Sequence, residues 1–148
     1  CIWCGINVPL LRYSDVLLMY AEAMCEYNGA PSEELYNVIL PIRERAGVST
    51  EPFAKYATLE KFRQFIRNER ARELCFEGLR KFDLLRWGIY LDSMNEVASL
   101  AVTDSNWGTS TAKNYITLVD RLGEKNNCLP IPSLELAVNT ELKQNPLW

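Results

Sequence analysis

Residues 68–88 constrain this chain more than any other segment, because charged and apolar side chains alternate there with helical spacing. Glu69, Glu73 and Glu77 are four residues apart, so one continuous helix would carry all three on the same face. The arginines around them are Arg70, Arg72, Arg80 and Arg86. Arginine and carboxylate side chains at this spacing usually pair with one another, so we expect the segment to form a structural ion-pair network.

The row of glutamates also has a catalytic interpretation, because paired carboxylates carry out glycoside hydrolysis. A general acid needs a raised pKa, whereas neighbouring arginines lower the pKa of a carboxyl group. We therefore favour the structural interpretation and expect no catalytic residue and no enzyme activity. The sequence contains no histidine, which excludes the histidine forms of a nucleophilic triad.

Apolar residues recur at three- and four-residue spacing through the first hundred residues and predict a mostly α-helical fold. We expect helices over about residues 14–28, 32–46, 58–76 and 79–100. Ser14 and Ser32 are the predicted N-caps of the first two helices, which should form an antiparallel pair.

Glycine and proline supply the predicted interruptions. Gly29 and Gly47 should end the first two helices, and Gly78 and Gly88 are candidate breaks further along. Pro41 lies inside the second helix and predicts a kink or a division there.

The last third of the chain has a different character and predicts an irregular C-terminal region. Residues 103–112 are rich in Ser, Thr, Asn and Gly and predict an exposed loop, and residues 115–119 favour a short strand. Residues 129–132 contain two prolines and should be extended, with Ser133 capping a short helix to residue 138. Residues 144–148 are predicted to be extended again.

Trp107 lies in the predicted polar loop between Asn106 and Gly108, with Tyr115 nearby in sequence. An aromatic ring can pack against the C–H groups of a sugar while neighbouring amides bond its hydroxyls. Asn106, Trp107 and Tyr115 are therefore our candidate ligand-binding residues. The competing interpretation is that Trp107 only anchors its loop on the core. For Trp87 the helical pattern favours a core position, and Trp3 and Trp148 should hold the two chain ends.

Charge and cysteine usage exclude several classes of function. The net charge of the 148-residue chain is −3, which argues against a nucleic-acid partner. Cys1 and Cys4 form a lone C-x-x-C pair, and a zinc site would need two further ligands, so we expect no metal site and no cofactor. Cys25 and Cys75 fall in apolar helical patterns and are expected in the core. No apolar run is long enough to cross a bilayer, and the N-terminus lacks the pattern of a signal peptide.

Four motifs, met in order along the chain, resemble those of the SusD/RagB family. Residues 12–23, RYSDVLLMYAEA, look like the family's R-Y-A-D-V-L-L-M-Y-A-E-A helix, and residues 43–47 look like its R-x-R-A-G turn. Residues 69–88 are similar to its most recognisable segment. Residues 129–135 and 144–146 resemble its C-terminal signature. The structural motif residues are Glu69, Arg70, Glu73, Glu77, Arg80, Asp83, Arg86 and Trp87. The sequence departs from the family pattern at two positions. Pro41 lies where the family usually continues a smooth helix, and Leu147 replaces the usual glycine.

The resemblance implies a SusD-like helical fold with tetratricopeptide-like helix pairs, and it makes residues 1–148 the C-terminal domain of a longer protein. It implies a non-catalytic nutrient-binding protein for carbohydrates such as starch. Its partners would be a glycan or oligosaccharide and a SusC-like TonB-dependent transporter. The longer protein would lie on the surface of the outer membrane as a lipoprotein, anchored through an upstream cysteine. The alternatives are a helical protein-interaction scaffold and a peptide-binding member of the same family.

Overall fold

A computed structural model describes residues 10–104 and 106–148. The chain divides into two compact units, residues 1–80 and residues 81–148. The described residues of both units form helices and turns without a β-strand, which confirms the predicted mostly α-helical fold. Within these residues no helix combines the length and apolar character needed to cross a membrane. Cys1, Cys4 and Trp3, for which predictions were made, lie outside the described residues.

Three helices build the first unit: α1 (Tyr13–Asn28), α2 (Glu33–Arg45) and α3 (Leu59–Glu73). A short 3₁₀ helix, Phe53–Tyr56, lies between α2 and α3 and packs on α3. α1 contacts both α2 and α3. The predicted pair of α1 and α2 is therefore present, and α3 packs against it as a third helix. The largest fully buried side chains of this core are Leu18, Cys25, Ile39, Phe62 and Ile66.

Local sequence signals fix the ends of α1 and α2. Gly29 follows α1 with φ 67°, a left-handed conformation that glycine adopts without steric cost. The Ser32 hydroxyl accepts a hydrogen bond from the Leu35 backbone N–H at 3.2 Å, as the predicted N-cap of α2. The prediction of Ser14 as the N-cap of α1 was wrong, because α1 begins at Tyr13 and Arg12 holds the N-cap position. Arg12 makes no capping bond with its side chain there.

Pro41 was predicted to kink or divide α2, and it does not divide the helix, which continues through it to Arg45. Proline removes one backbone donor, the one that would bond the carbonyl of Asn37. Both Pro41 and Asn37 are exposed, so the interrupted bond lies on the solvent side of the helix. The buried contacts of Ile39 and Ile42 on the other side keep the helix together.

α3 ends three residues earlier than predicted, at Glu73. The chain then turns, with Phe76 and Gly78 at φ 65° and 78°. Because the helix stops before Cys75, that side chain is exposed, and its predicted core position was wrong. Cys25 on α1 is buried, as predicted.

The second unit contains α5 (Tyr90–Thr103), α6 (Thr109–Val119) and α7 (Ser133–Val138), with a 3₁₀ helix at Glu124–Asn127. α4 (Arg80–Arg86) begins at the last residue of the first unit, and Gly88, at φ 68°, separates it from α5 as predicted. α5 packs against α6.

Two predictions for this region were wrong: residues 115–119 are helical, and the loop predicted over residues 103–112 gives way to α6 at Thr109. Ala112 and Val119, the buried residues of α6, lie two helical turns apart on one face, and their burial outweighs the weak helix propensity of Ser and Thr.

The C-terminal segments hold one another through side-chain amides. Gln144 Oε1 accepts the Ile131 N–H at 2.8 Å, and Gln144 Nε2 donates to the Ile131 carbonyl at 3.0 Å. Trp148 Nε1 donates to the Lys125 carbonyl at 2.8 Å, so this tryptophan does hold the chain end. Residues 145–148 form a turn rather than the predicted extended end, because the Trp148 N–H donates to the Asn145 carbonyl. Ser133 is the first residue of α7, whose N-cap is Pro132 rather than the predicted serine.

Candidate functional site

The turn between α5 and α6 brings two of the three candidate ligand-binding residues together. Trp107, in the turn, and Tyr115, on α6, place their ring centroids 5.5 Å apart with an interplanar angle of 68°, an edge-to-face contact. Asp104 shapes the turn, since its side chain accepts the Asn106 N–H at 2.9 Å and its carbonyl accepts the Trp107 N–H at 3.1 Å. The candidate pair thus arises from one short connection between two packed helices.

The two rings at this turn are half-buried, and Tyr115 makes a further contact inside the unit. Its hydroxyl lies 3.7 Å from the Met94 sulfur on α5. Desolvation of the phenol, and to a smaller extent the nearby Tyr90, raises the pKa of Tyr115. The phenol therefore stays protonated at neutral pH and can donate a hydrogen bond, whereas the exposed Asn106 side chain is open to solvent.

The glutamates of the central segment are engaged in ion pairs, beginning with Glu69 on α3. Its carboxylate lies 2.5 Å from Arg43 Nη1 on α2 and 2.7 Å from Arg72 Nη1. Glu69 and Arg43 are both buried, and Arg43 also donates to the Ser49 carbonyl at 2.6 Å. This pair joins α2 to α3, in agreement with the structural interpretation of the row.

Glu73 is the centre of a second group of ion pairs. It accepts from Arg12 Nη1 at 2.9 Å, just before α1, and from Arg45 Nη2 at the end of α2. Desolvation alone would raise the pKa of Glu73, but hydrogen bonds from Ser14, Arg12 and Arg45 outweigh it and hold the pKa below its ordinary value. A carboxyl group held ionised in this way is unsuited to act as a general acid.

Glu77 does not share the helical face predicted for it, because α3 ends at Glu73 and Glu77 lies in the turn that follows. It still belongs to the network, since Arg12 donates to Glu77 at 2.6 and 3.1 Å as well as to Glu73. This bridging role of Arg12 was not predicted, although the arginine opens the first family-like motif.

The remaining motif residues also make internal contacts. Arg70 and Asp15, both buried, form an ion pair of 2.8 Å between α3 and α1. Asp83 is buried and pairs with Arg86, whose guanidinium lies 4.8 Å from the ring of the half-buried Trp87. Arg80 Nη1 lies 3.4 Å from the Arg67 carbonyl.

A cleft of about 800 Å³ opens beside α2, α3 and the 3₁₀ helix of the first unit, a feature that sequence analysis did not predict. Its charged residues pair within the wall, as Glu51 does with Lys55 at 2.6 Å and with the Tyr56 hydroxyl at 2.6 Å. Desolvation and the bond to Glu51 raise the pKa of Tyr56 to about 12, so the cleft offers no phenolate base at neutral pH. In the sequence, the aromatic residues Phe53 and Tyr56 are the signal that could have indicated a packed element beside this cleft.

Residues suited to a metal are not grouped anywhere in the described part of the chain, where no three His, Cys, Asp or Glu side chains converge. The exposed Cys75 and Cys128 are free thiols.

Comparison with known proteins places these features in a family context. The model of the SusD family matches residues 4–148. The chain is 34% identical over 140 residues to a SusD-like protein of Formosa agariphila, covering 94% of this chain and 24% of that protein. A second SusD-like protein of the same organism is 33% identical over 106 residues, covering 68% of this chain and 21% of that protein. A solved SusD homolog from Bacteroides thetaiotaomicron superposes with a TM-score of 0.75 at 32% identity, over 94% of this chain and 26% of that one. The chain thus spans about a quarter of the length of these relatives.

Proposed function

The chain belongs to the SusD family, as its C-terminal portion, and on that basis we propose that the longer protein is a non-catalytic surface protein that binds glycans for nutrient uptake. The observation that carries the proposal is the family match over residues 4–148, together with an all-helical fold shared with the solved homolog. The longer protein would lie on the outer membrane, anchored by a lipid on an upstream cysteine. It would deliver its ligand to a SusC-like TonB-dependent transporter.

Within this portion, we propose that the α5–α6 turn contributes to glycan contact through Trp107, Tyr115 and Asn106. The half-exposed indole supplies an apolar surface, and the exposed amide supplies hydrogen bonds, which is the combination that a sugar needs. Because the turn is packed on α6, the indole is held in place before a ligand arrives, which lowers the entropic cost of binding.

Affinity electrophoresis of the longer protein through gels containing single polysaccharides tests both proposals. We expect retardation by at least one polysaccharide, and Trp107→Ala should weaken the apparent affinity by about fivefold or more. Phe82→Ala, which removes an aromatic ring that is 61% exposed elsewhere in the second unit, serves as the control and should leave retardation unchanged. Retardation by no polysaccharide, alongside tight binding of peptides, would exclude the glycan proposal in favour of a peptide-binding member.

The second candidate function is a helical scaffold that contacts the transporter and leaves the ligand to other parts of the protein. The observation that favours it is the contact of Trp107 with Tyr115, which gives the indole a structural partner within its own unit. This candidate predicts that the transporter is retained by the longer protein in a pull-down, and that Trp107→Ala leaves polysaccharide retardation intact. Loss of retardation in Trp107→Ala, with thermal stability preserved, would contradict it.

The ion pairs of the three glutamates also support the proposal of a non-catalytic protein. Glu69, Glu73 and Glu77 each lie within ion-pair distance of at least one arginine. We expect no sustained release of reducing sugar from any polysaccharide that the protein binds. Catalysis would be established by product release that disappears in Glu73→Gln while polysaccharide retardation is preserved.

A further inference from the structure

The cleft beside α2, α3 and the 3₁₀ helix is large enough for a small organic ligand. Its volume is about 800 Å³, and sites for such ligands typically measure about 300–1,000 Å³. All of its lining residues lie between Ile42 and Glu73, so one continuous stretch of the first unit supplies its walls. The cleft is thus a concave site that this chain builds from its own residues.

Positive charge is in excess around the cleft, although the whole chain has a net charge of −3. The lining residues include four basic side chains and three carboxylates: Arg43, Lys55, Lys61, Arg72, Glu51, Glu69 and Glu73. Glu73 is neutralised from outside the cleft, because it pairs with Arg12 and Arg45, which do not line it. Two of the basic groups are therefore left without a compensating carboxylate, and the cleft should attract anions.

Lys61 is the exception to the pairing of charged residues within the wall. Lys55 pairs with Glu51, and Arg72 pairs with Glu69. Lys61 is exposed on α3, and its ammonium forms no ion pair with a residue that the structure describes. The three donors of this ammonium therefore remain available to an anion that enters the cleft.

A buried donor in the wall adds to the positive field of the cleft. Arg43 donates from Nη1 to Glu69 and from Nη2 to the Ser49 carbonyl, but its Nε has no hydrogen-bond partner among the described residues. Arg43 is 9% exposed, and its guanidinium lies 5.7 Å from the centroid of the Phe65 ring. Buried donors are nearly always bonded, and one without an acceptor in surroundings of low polarity strengthens the attraction for a nearby anion.

Two amide side chains extend the polar wall along α3. Gln64 and Asn68 are four residues apart and follow Lys61 on the same side of the helix. Gln64 Nε2 donates to Asn68 Oδ1 at 3.0 Å. This bond occupies one group of each amide, so the Gln64 oxygen can still accept a hydrogen bond and the Asn68 nitrogen can still donate one. The pair therefore offers both of the functions that bond sugar hydroxyls.

An apolar surface completes the cleft. Ile42 and Phe65, both buried, and Val48, which is 46% exposed, are among its lining residues. Apolar contact for C–H groups beside a few polar side chains is the combination that a sugar ring needs. An acidic peptide is a less suitable occupant, because peptides dock along a strand edge or in an apolar groove, whereas this wall is a helix face with charged and amide side chains.

We propose that this cleft binds an acidic saccharide, with a carboxylate or sulfate group of the sugar on Lys61 and its hydroxyls on Gln64 and Asn68. The inference rests on the proposed glycan-binding function and adds the class of glycan that the protein would select. Lys61 and Gln64 are exposed, so substitutions there should leave the core of the first unit intact.

Isothermal titration calorimetry of the longer protein tests the proposal with three probes: oligosaccharides of galacturonic acid, of sulfated galactose and of neutral galactose. We expect at least one acidic probe to bind about tenfold or more tightly than the neutral one. Lys61→Gln should weaken the binding of that acidic probe by about fivefold or more and leave the binding of the neutral probe unchanged. The matched control is Lys143→Gln, which removes the same charge from an exposed position in the second unit and should change neither affinity.

Lysine acetylation locates the bound sugar independently of affinity. An N-hydroxysuccinimide ester of acetic acid should modify Lys61 in the ligand-free longer protein, and peptide mass spectrometry measures the modification at each lysine. A saturating acidic oligosaccharide should lower the modification of Lys61 by about fivefold or more and leave that of Lys143 unchanged. A Lys61 that does not react in the ligand-free protein would show that another part of the longer protein covers the cleft, which overturns the proposal.

The remaining outcomes separate this inference from the proposed function. If neutral and acidic oligosaccharides bind equally well and Lys61→Gln changes neither affinity, the inference is wrong and the glycan-binding function stands. If no saccharide binds and acidic peptides do, both are wrong. Protection of Lys61 by inorganic phosphate to the same extent as by the acidic sugars would show a site for any anion, and it also overturns the inference.

Discussion

Glu73→Gln changes one atom at the centre of the ion-pair network and leaves the size of the side chain unaltered. The carboxylate receives hydrogen bonds from Arg12, which precedes α1, and from Arg45 at the end of α2. It therefore ties three helices together from its position at the end of α3. Glutamine keeps one acceptor oxygen, but its amide nitrogen is a donor that faces a guanidinium donor.

The loss of stability in Glu73→Gln depends on how exposed each partner of Glu73 is. The Glu73 side chain is 8% exposed and Arg12 is 26% exposed, whereas Arg45 is 61% exposed and its pair is largely screened by solvent. Hydrogen bonds to charged groups contribute about 1.5–3 kcal/mol each, and breaking a fully buried pair costs about 3–5 kcal/mol. Of its two bonds to arginine, one is substantial and one is weak, so we expect a loss of about 2–3 kcal/mol in the free energy of unfolding.

The pH dependence of this stability loss distinguishes the loss of ion pairs from a general loss of packing. The pKa of Glu73 in the folded protein lies below its ordinary value of 4.5. Its contribution is therefore fully present above the unfolded pKa and is lost as the pH falls through the folded one. The difference in stability between the parent protein and Glu73→Gln should be constant near neutral pH and should shrink below about pH 4.5.

Urea unfolding followed by circular dichroism at several pH values measures this difference. Glu26→Gln is the matched control, because Glu26 pairs with Arg63 at 2.6 Å through side chains that are 45% and 34% exposed. The control should cost much less than Glu73→Gln. The reasoning is refuted if the two variants are equally stable, or if the cost of Glu73→Gln stays unchanged down to pH 3.

Three further outcomes follow from single residues. Leu147 is 67% exposed and has a left-handed backbone with φ 70°. Leu147→Gly should raise the free energy of unfolding, measured in urea, by about 0.5–1 kcal/mol, because the steric strain that it relieves, about 1–2 kcal/mol, exceeds the entropic cost of glycine. A decrease would show that the leucine side chain makes stabilising contacts. Gln144→Ala removes both bonds to Ile131 and should lower the same quantity by about 1–3 kcal/mol, whereas no loss would mean that water replaces them. Iodoacetamide should modify the exposed Cys75 in the native protein and spare Cys25, which is buried and whose pKa is raised by desolvation. Peptide mass spectrometry measures the modification of each cysteine, and equal modification of the two would contradict the burial of Cys25.

Local signals in the sequence were sufficient to predict the helices whose ends are determined by interactions between nearby residues. Ser32 and Gly29 act within one turn of their helices, so the bounds of the α1–α2 pair could be predicted closely. Gly88 separated α4 from α5 for the same reason, since its left-handed backbone is a property of one residue.

The errors arose where tertiary contacts outweighed local preference. Polar residues dominate the start of α6, yet Ala112 and Val119 bury one side of it and the segment is helical. Arg12 was interpreted as part of a helix motif. In the structure its backbone holds the N-cap position, while its guanidinium bonds Glu73 and Glu77, more than sixty residues away. No spacing rule along the chain predicts such a distant partner.

The candidate site shows a similar limit. Trp107, Tyr115 and Asn106 were predicted because they are near one another in the chain, and the structure places the two rings in contact through the turn between α5 and α6. The cleft beside α2 and α3 could not be selected in this way, because Arg43, Glu51 and Glu69 come from three separate segments.

The motifs that identify the family are engaged in contacts within the chain, and this has a consequence for where ligand recognition can reside. Arg43 and Glu69 bond each other, and the amide of Gln144 bonds the Ile131 backbone. A side chain whose charge or amide is already satisfied has little left to offer a ligand, and changing it would alter the scaffold first. The proposed ligand contacts are therefore expected in residues outside these motifs, such as Trp107, and in the parts of the longer protein that lie outside this chain.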